Sequence, residues 1–276
     1  MRKFIGLWLL AGLVLASLSL ARAESEAAEL VFGVYPLLSP SQTVERYAPL
    51  QEHLSQALGA RVLLRSAPDF AKFIERTRNG EYDIIFTAPH MGRLAEKRDG
   101  YKGIAQTSEV TVVTLARKDG PVQALTDLKG RALAVGARLS MTYQILNHAL
   151  GKHGQVIGRD VKFVDPASFS NVIEAIMRGE ADAGATILPL WEAASPEQRA
   201  SLREIYRAEP TPGFLILAHS RLAPQTLKKL GQALFDFRKT EAGGAYFKKT
   251  QQGDFRPVDE ATMKRIDPYT SAIQPP

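Results

Sequence analysis

Hydroxyl-bearing and small side chains gather in residues 136–143, between a predicted strand and a predicted helix. In this stretch Ser140 and Thr142 supply hydroxyl donors, beside Met141 and Tyr143. A helix that begins here would direct free backbone N–H groups and the positive end of its dipole outward, which suits a small anion. The alternative is plain capping, in which Ser140 satisfies the amides of its own helix and nothing is bound.

A second candidate is the segment Thr87, Ala88, Pro89 and His90, which also follows a predicted strand. Pro89 suits the first position of a helix, and Thr87 would lie on the cap side facing the same cleft. His90 could donate a hydrogen bond to an anion, and a single histidine at a helix start is equally consistent with a solvated position. The segment therefore predicts a second helix start that faces an anion.

Two further candidates stand at the ends of other predicted strands. Tyr35 ends the first strand, where its ring and hydroxyl could close a cleft or could equally pack in a core. Thr186 ends the last strand of the second half of the chain. Because ligands of open parallel sheets collect beyond the carboxyl ends of the strands, both residues join the predicted binding site.

Patterns of catalytic residues are missing from the sequence. It holds no Gly-x-Ser-x-Gly turn, no phosphate-binding glycine loop and no His-Glu-x-x-His helix. His148 and His153 are five residues apart and so lie on different helix faces, while Asp83 and Asp182 suit strand-entry positions after Gly-Glu turns. Since cysteine is also absent, we expect no enzyme, no metal site and no cofactor.

Alternating strand and helix patterns supply the elements that would hold these residues. Short apolar runs indicate buried strands, and apolar residues three or four apart indicate helices. In the first half, helices are predicted at 44–58, 70–78 and from Pro89 toward Lys97, and strands at 30–35, 61–64, 82–87, 101–106 and 111–117. This order predicts an α/β fold with a mostly parallel sheet flanked by helices.

The same order restarts after the turn-rich residues 118–121. Strands are predicted at 131–135, 161–164 and 181–186, with helices at 140–153 and 168–178, followed by a strand at 214–218 and helices at 224–238 and 241–250. The last three elements are assigned back to the first lobe. We therefore predict lobe 1 as residues 24–117 plus 213–276 and lobe 2 as residues 118–212. Two crossings between the lobes would form a hinge.

Residues 1–23 have the features of a removable signal peptide. Arg2 and Lys3 precede an apolar run, residues 4–20, which ends in the small-residue site 21–23. An uncleaved membrane anchor is the alternative, which the shortness of the run and the Ala-x-Ala site disfavour. No cysteine is present for lipid attachment. We expect cleavage after Ala23 and a free protein in the periplasm.

The charge of the chain gives no support to nucleic-acid binding. Lys and Arg number 35 against 29 Asp and Glu, a net charge of +6. Removing Arg2, Lys3 and Arg22 with the signal peptide leaves 32 against 29, or +3. The charges are mixed along the chain without a basic block, which is typical of a solvated surface. We expect a monomer that binds a small anionic ligand and no nucleic acid.

Four stretches, in this order, resemble the periplasmic substrate-binding proteins of phosphate, phosphite and phosphonate ABC transporters. They are Phe-Gly-Val-Tyr-Pro at 32–36, Asn-Gly-Glu-Tyr-Asp-Ile-Ile-Phe-Thr-Ala-Pro at 79–89, Leu-Lys-Gly at 128–130 and Gly-Glu-Ala-Asp-Ala-Gly-Ala at 179–185. The resemblance covers nearly the whole mature chain. It implies a type II periplasmic-binding fold, whose two α/β lobes close on the ligand and deliver it to a membrane permease.

The resemblance also implies positions for the site. Ser140, Met141 and Thr142 stand where family members place a Ser/Thr-rich helix start that grips the oxyanion. The segment 87–90 stands at a strand-end loop that lines the cleft, and Tyr35 stands where an aromatic contact is common.

This sequence departs from the family at two places. Met141 interrupts what is usually a denser Ser/Thr run. Family members that bind aminoalkyl phosphonates have an acid just past the Asp-Ala-x-Ala strand, where this sequence has Thr186, Ile187 and Leu188. An aminophosphonate is therefore not expected, and the apolar residues favour another oxyanion or a small organic acid.

Two functions are consistent with a two-lobed binding protein. The first is capture of a phosphate-, phosphite- or phosphonate-like oxyanion for an ABC transporter. The second is a periplasmic sensing subunit that reports a different oxyanion or a small organic acid to a membrane sensor kinase or cyclase. Both predict closure of the lobes on the ligand, because contacts from both lobes form together only in the closed state.

Overall fold

Two β-sheets organise residues 29–166 and 171–270, the part of the chain that this computed structural model describes. The predicted signal peptide, residues 1–23, lies outside it. The first sheet contains β1 (Glu29–Val34), β2 (Arg61–Arg65), β3 (Ile84–Thr87), β4 (Tyr101–Gln106), β10 (Leu215–His219) and β11 (Arg256–Pro257). The second contains β5 (Val112–Arg117), β6 (Ala132–Ala134), β7 (Lys162–Val164), β8 (Ala183–Ile187) and β9 (Leu202–Arg207). The sheets form the centres of lobe 1, residues 29–106 and 215–270, and lobe 2, residues 112–207.

Helices cover both sheets. Lobe 1 has α1 (Pro40–Leu58), α2 (Phe70–Arg78), α3 (Pro89–Arg98), α8 (Pro224–Phe237), α9 (Glu241–Thr250) and α10 (Glu260–Lys264), and lobe 2 has α4 (Met141–Gly151), α5 (Asn171–Met177), α6 (Leu188–Glu192) and α7 (Pro196–Ser201). Short 3₁₀ turns lie at Leu125–Leu128 and Asp267–Tyr269. Within these residues, no helix combines the length and the apolar character needed to cross a membrane.

Local sequence explains where the longest helix begins and ends. The Ser39 side chain and the Gln42 side chain form a capping box at the start of α1, with Pro40 at its first position. Gly59 ends the helix in the left-handed conformation at φ 62°, which glycine adopts without strain. The helix predicted at 44–58 is therefore present and begins four residues earlier.

Both sheets are mixed, where the sequence predicted mostly parallel sheets. In each lobe three neighbouring strands are parallel, in the orders β2-β1-β3 and β7-β6-β8. The strands that enter a lobe from the other lobe run the opposite way: β10 is antiparallel to β3, and β5 is antiparallel to β8. Such a strand starts at the edge of the sheet where the parallel strands end, so its direction is reversed.

The crossings between lobes lie at residues 107–111 and 208–214. The sequence placed the first crossing near residue 118 and so put β5 in lobe 1, but β5 pairs with β8 and β9 in the second sheet. The Gly-Pro signal at 120–121 marks a turn inside lobe 2. The two crossings are held together by Val110 and Thr211, whose backbones exchange hydrogen bonds of 2.9 and 3.0 Å.

The C-terminal residues contact both lobes, although the sequence assigned 213–276 to lobe 1. Asp267 pairs with Arg93 of α3 at 2.7 Å, whereas the Tyr269 ring lies edge-on to His148 of α4, with centroids 5.5 Å apart. Arg265 bonds to Glu109 of the first crossing and to the Pro210 carbonyl of the second. This end of the chain therefore spans the hinge.

Two aspartates have the same structural role in the two lobes. The Asp83 carboxylate accepts a hydrogen bond from the Val31 amide at 2.8 Å, and the Asp182 carboxylate accepts one from the Ala132 amide at 2.8 Å. Each aspartate thereby ties the entry of one parallel strand to its neighbour. This confirms the strand-entry role inferred from the sequence.

Two adjacent glycines of α9 are expected to respond oppositely to alanine. A Cβ atom at Gly243 would overlap the Phe237 carbonyl oxygen, whereas one at Gly244 meets nothing within 4 Å. We expect Gly243→Ala to lower the free energy of unfolding by about 1 to 3 kcal/mol, through overpacking. Gly244→Ala should raise it by about 0.5 to 1 kcal/mol, through the lower entropy of the unfolded chain. Urea denaturation measures both, and equal effects would contradict the packing described for α9.

Candidate functional site

The starts of two helices, one from each lobe, meet across the cleft. His90 is the second residue of α3 in lobe 1, and Leu139 directly precedes the residue that caps α4 in lobe 2. The His90 Nε2 atom lies 3.0 Å from the Leu139 carbonyl oxygen. The Leu139 side chain also packs against the lobe 1 cluster that contains Tyr35 and Met91. The two strand-end segments singled out in the sequence are therefore neighbours.

The start of α3 is buried and has no side-chain cap. Its N-cap residue is Ala88, whose side chain cannot accept a hydrogen bond, and Pro89 has no N–H. The Gly92 amide bonds to the Ala88 carbonyl at 3.0 Å, but within the described residues the amides of His90 and Met91 have no acceptor. His90 is fully buried. Buried amides at a helix start require a partner, so this end of α3 is suited to an acceptor-rich ligand.

The start of α4 is capped and still has free amides. The Ser140 hydroxyl accepts from the Tyr143 amide at 3.2 Å, and the Ser140 carbonyl accepts from the Gln144 amide at 3.2 Å. In the part of the chain that the structure covers, the amides of Met141 and Thr142 have no such acceptor. The capping role of Ser140 therefore leaves two N–H groups for a ligand, and Thr142 is almost fully buried beside them.

The electrostatics of the junction favour a negative charge. Each helix start carries the equivalent of about half a positive charge from the macrodipole, so the two together supply about one. Four backbone amides add directed hydrogen-bond donors, two from α3 and two from α4. A small oxyanion is the ligand that such an arrangement stabilises.

His90 has a different role from the one that the sequence suggested. The sequence proposed it as a donor to an anion, but its Nε2 contacts a carbonyl oxygen, which can only accept, so Nε2 carries the proton. Burial lowers the His90 pKa to about 4, an effect that the hydrogen bond to Leu139 opposes. The ring is therefore neutral at pH 7. Its Nδ1 atom is a buried acceptor that has no partner within the part of the chain described.

Tyr35 belongs to the aromatic wall beside this junction. Its ring stacks on Phe70, with centroids 4.6 Å apart and planes 4° from parallel, and meets Phe73 edge-on. Burial raises the pKa of its hydroxyl above the ordinary value, so the group stays neutral. The sequence left two roles open for Tyr35, closing the cleft or packing in a core. In the structure its ring packs in the lobe 1 core.

Other residues singled out in the sequence pack within the two lobes. The Tyr143 hydroxyl receives a hydrogen bond from Arg138 at 3.1 Å and donates to the Ile157 carbonyl, inside the lobe 2 core. Met141 packs against the same core. Thr186 is fully buried in β8, and Thr87 lines a small cavity between β3, α2 and α3. Within residues 29–166 and 171–270, the Thr87 hydroxyl has no hydrogen-bond partner.

A sequence model of one protein family matches residues 32–263, which include both lobes and the junction. The family is described as the periplasmic substrate-binding protein of the phosphonate ABC transporter. The chain belongs to this family. Family members are substrate-binding components of transporters rather than enzymes, and they are located in the periplasm.

Relatives of this phosphonate-transporter family support the same fold. The phosphonates-binding periplasmic protein of Escherichia coli K12 is 22% identical over 263 residues, which cover 90% of this chain and 78% of the relative. A Xanthomonas citri protein solved with chloride has a TM-score of 0.76 at 20% identity and covers 89% of this chain and 97% of its own. PhnD1 of Prochlorococcus marinus, solved with methylphosphonate, has a TM-score of 0.70 at 16% identity, covering 87% and 96%. The type II periplasmic-binding fold predicted from the sequence is confirmed.

Leu139 is the residue of this binding protein that the sequence analysis missed. It lay inside the segment 136–143 but carries no polar side chain, so only its backbone carbonyl and its packing link the lobes. No sequence pattern marks a carbonyl group as a contact between lobes. Among the described residues, no group of three or more His, Cys, Asp or Glu side chains is placed to hold a metal ion.

Proposed function

We propose that this binding protein captures a small oxyanion of the phosphate, phosphite or phosphonate class between its lobes and delivers it to an ABC-transporter permease. The observation that carries the proposal is the contact between the starts of α3 and α4, where His90 meets Leu139. Family membership supports the transport role. Methylphosphonate bound to PhnD1, a protein of the same fold, supports this class of ligand.

The proposed contacts come from both lobes. The amides of His90 and Met91 bind the oxyanion from lobe 1, and those of Met141 and Thr142 bind it from lobe 2. The Thr142 hydroxyl adds a donor. Because each lobe supplies only part of these donors, binding favours the closed state, in which the two sets are together.

The ligand proposed for this site has a small or no organic substituent. Directly beyond β8 come Leu188, Pro189 and Leu190, the first residues of α6, which carry no carboxylate to pair with an amino group. Methylphosphonate, phosphite and phosphate are therefore preferred over 2-aminoethylphosphonate. This order follows from the unpaired ammonium group that an aminophosphonate would bring into the cleft.

The proposed location follows from the N-terminal sequence as well as from the family. Residues 1–23 are proposed to act as a signal peptide that is cleaved after Ala23. The released chain would then meet its ligand in the periplasm and the permease at the membrane surface. N-terminal sequencing of the exported protein tests the cleavage site.

A thermal-shift screen tests the proposed ligand class. For protein purified from the periplasm, a ligand at 100 times its Kd should stabilise the native state by about 2.7 kcal/mol. For a chain of this size, that is a rise in Tm of roughly 5 to 10 °C. We expect such a rise with methylphosphonate, phosphite or phosphate, and a smaller one with 2-aminoethylphosphonate. Sodium chloride at matched ionic strength is the control, and no shift with any oxyanion would contradict the proposal.

A further inference from the structure

His90, which contacts the other lobe through Nε2, also has a buried hydrogen-bond acceptor, Nδ1. Its ring is fully buried, and its single N–H, on Nε2, is used by the Leu139 carbonyl at 3.0 Å. The Nδ1 atom, on the other side of the ring, is buried and has no hydrogen-bond partner among the described residues. A buried acceptor without a donor is unfavourable, so a group with a proton to donate would stabilise this arrangement.

Burial keeps the His90 ring neutral, and the charged and polar groups on the surrounding elements have other partners. Each of the following bonds to a group other than His90: Arg76 on α2, Tyr101 on β4, His219 on β10, Arg93 on α3 itself, Asp267 on the C-terminal turn and Arg138 on the facing segment. Tyr35 is neutral because burial raises its pKa. Burial and the Leu139 hydrogen bond account for the His90 pKa.

We propose that the site selects oxyanions that carry a proton on one oxygen, because that O–H group donates to His90 Nδ1. The inference rests on the proposed oxyanion function and specifies its ligand class. Phosphonate, phosphite and phosphate each keep such a proton near neutral pH. Sulfonates have the same tetrahedral shape but no proton, so they leave Nδ1 unpaired and bind more weakly.

Binding is therefore linked to proton uptake at alkaline pH. Above its second pKa, free methylphosphonate is a dianion, whereas the complex contains one proton between the ligand oxygen and His90 Nδ1. The dianion must take up that proton from solvent, so its apparent affinity falls about tenfold per pH unit in this range. A sulfonate has no such linkage.

Calorimetric titration tests the inference with methylphosphonate and methanesulfonate. At about one pH unit above the second pKa of methylphosphonate, titrations in buffers of different ionisation enthalpy should report uptake of close to one proton per bound ligand. Methanesulfonate should bind about 5- to 150-fold more weakly than methylphosphonate at neutral pH, as expected for one buried acceptor left unpaired.

A single substitution tests the role of the Nδ1 atom separately from that of Nε2. In His90→Gln the side-chain amide nitrogen can still donate to the Leu139 carbonyl, but the acceptor at Nδ1 is removed. We expect the preference for methylphosphonate over methanesulfonate to fall to within a few-fold and the proton uptake to be lost. His53→Gln is the matched control, since His53 Nε2 makes the same kind of bond, 2.8 Å to the Ala233 carbonyl, away from the cleft.

The outcomes separate this inference from the proposed function. Methylphosphonate binding without proton uptake, together with equal binding of methanesulfonate, would overturn the inference and leave the oxyanion function standing. Failure of both probes to bind at any pH would overturn both. If His90→Gln does not fold, the proton uptake of the unmodified protein decides the question alone.

Discussion

Replacing Thr142 with aspartate is expected to weaken methylphosphonate binding by about 100-fold or more without unfolding the protein. Thr142 is the second residue of α4 and is almost fully buried at the junction of the two helix starts. A carboxylate about 5 Å from the bound oxyanion, at an effective dielectric constant of about 20, repels it by about 3 kcal/mol. The carboxylate would also take the free amides that the ligand needs.

Stability should move in the opposite direction from affinity in this variant. A negative charge in the first turn of a helix is favourable, so the Tm of Thr142→Asp should equal or exceed that of the unmodified protein. The control is Thr142→Asn, which has the same size and no charge, and it should keep most of the affinity. Measured by calorimetric titration, equal affinities for the two variants would show that the oxyanion does not lie at the start of α4.

Replacing Gly213 with alanine is expected to destabilise the hinge by about 3 kcal/mol. Gly213 lies on the second crossing, and a Cβ atom there would overlap the Ser108 carbonyl oxygen and the Thr107 hydroxyl of the first crossing. These atoms cannot move aside easily, because Thr107 and Phe214 are joined by two hydrogen bonds, of 2.9 and 2.8 Å. The crossings must therefore separate, and overpacking of this kind costs about 1 to 3 kcal/mol or more.

Two measurements follow the effect of this hinge substitution. Urea denaturation should report the loss of stability, and small-angle scattering should show less closure when methylphosphonate is added. Gly244→Ala, on α9 away from the hinge, is the control and should lose neither stability nor closure. If Gly213→Ala left both properties unchanged, the close packing of the crossings would be wrong.

Most strands and helices could be predicted because their apolar residues follow a regular spacing. The strand predicted at 82–87 appears as β3, and the helices predicted at 224–238 and 241–250 appear as α8 and α9 with nearly the same bounds. These three elements pack against the same hydrophobic cluster, which sets the spacing of the apolar residues that each one contributes to it. Under that condition, the spacing is a reliable signal.

β9 was missed because its pattern is irregular. Its residues, Leu-Arg-Glu-Ile-Tyr-Arg, do not alternate between apolar and polar. β9 lies at the edge of the second sheet as described and pairs with β5, with a shift of register between Thr114 and Leu115. A bulge of this kind breaks the period of two that identifies a strand. Short, exposed α6 and α7 were likewise not predicted.

The sequence predicted the two segments of the candidate site but not the contact between them. Strand ends followed by Pro or Ser signals located the starts of α3 and α4. The contact between His90 and Leu139 depends on how the lobes are oriented, which local spacing does not encode. The direction of the Tyr143 side chain, into the lobe 2 core, likewise depends on Arg138 and Phe163, which lie around it only after folding.

A crystal structure of the exported protein with methylphosphonate would show whether the oxyanion binds between the two helix starts. We predict closed lobes, with the phosphonate group between the starts of α3 and α4. Its oxygens should lie within hydrogen-bond distance of the amides of Met91, Met141 and Thr142, and of Nδ1 of His90. A phosphonate group bound elsewhere, or lobes that close without ligand contacts from both helix starts, would contradict the account.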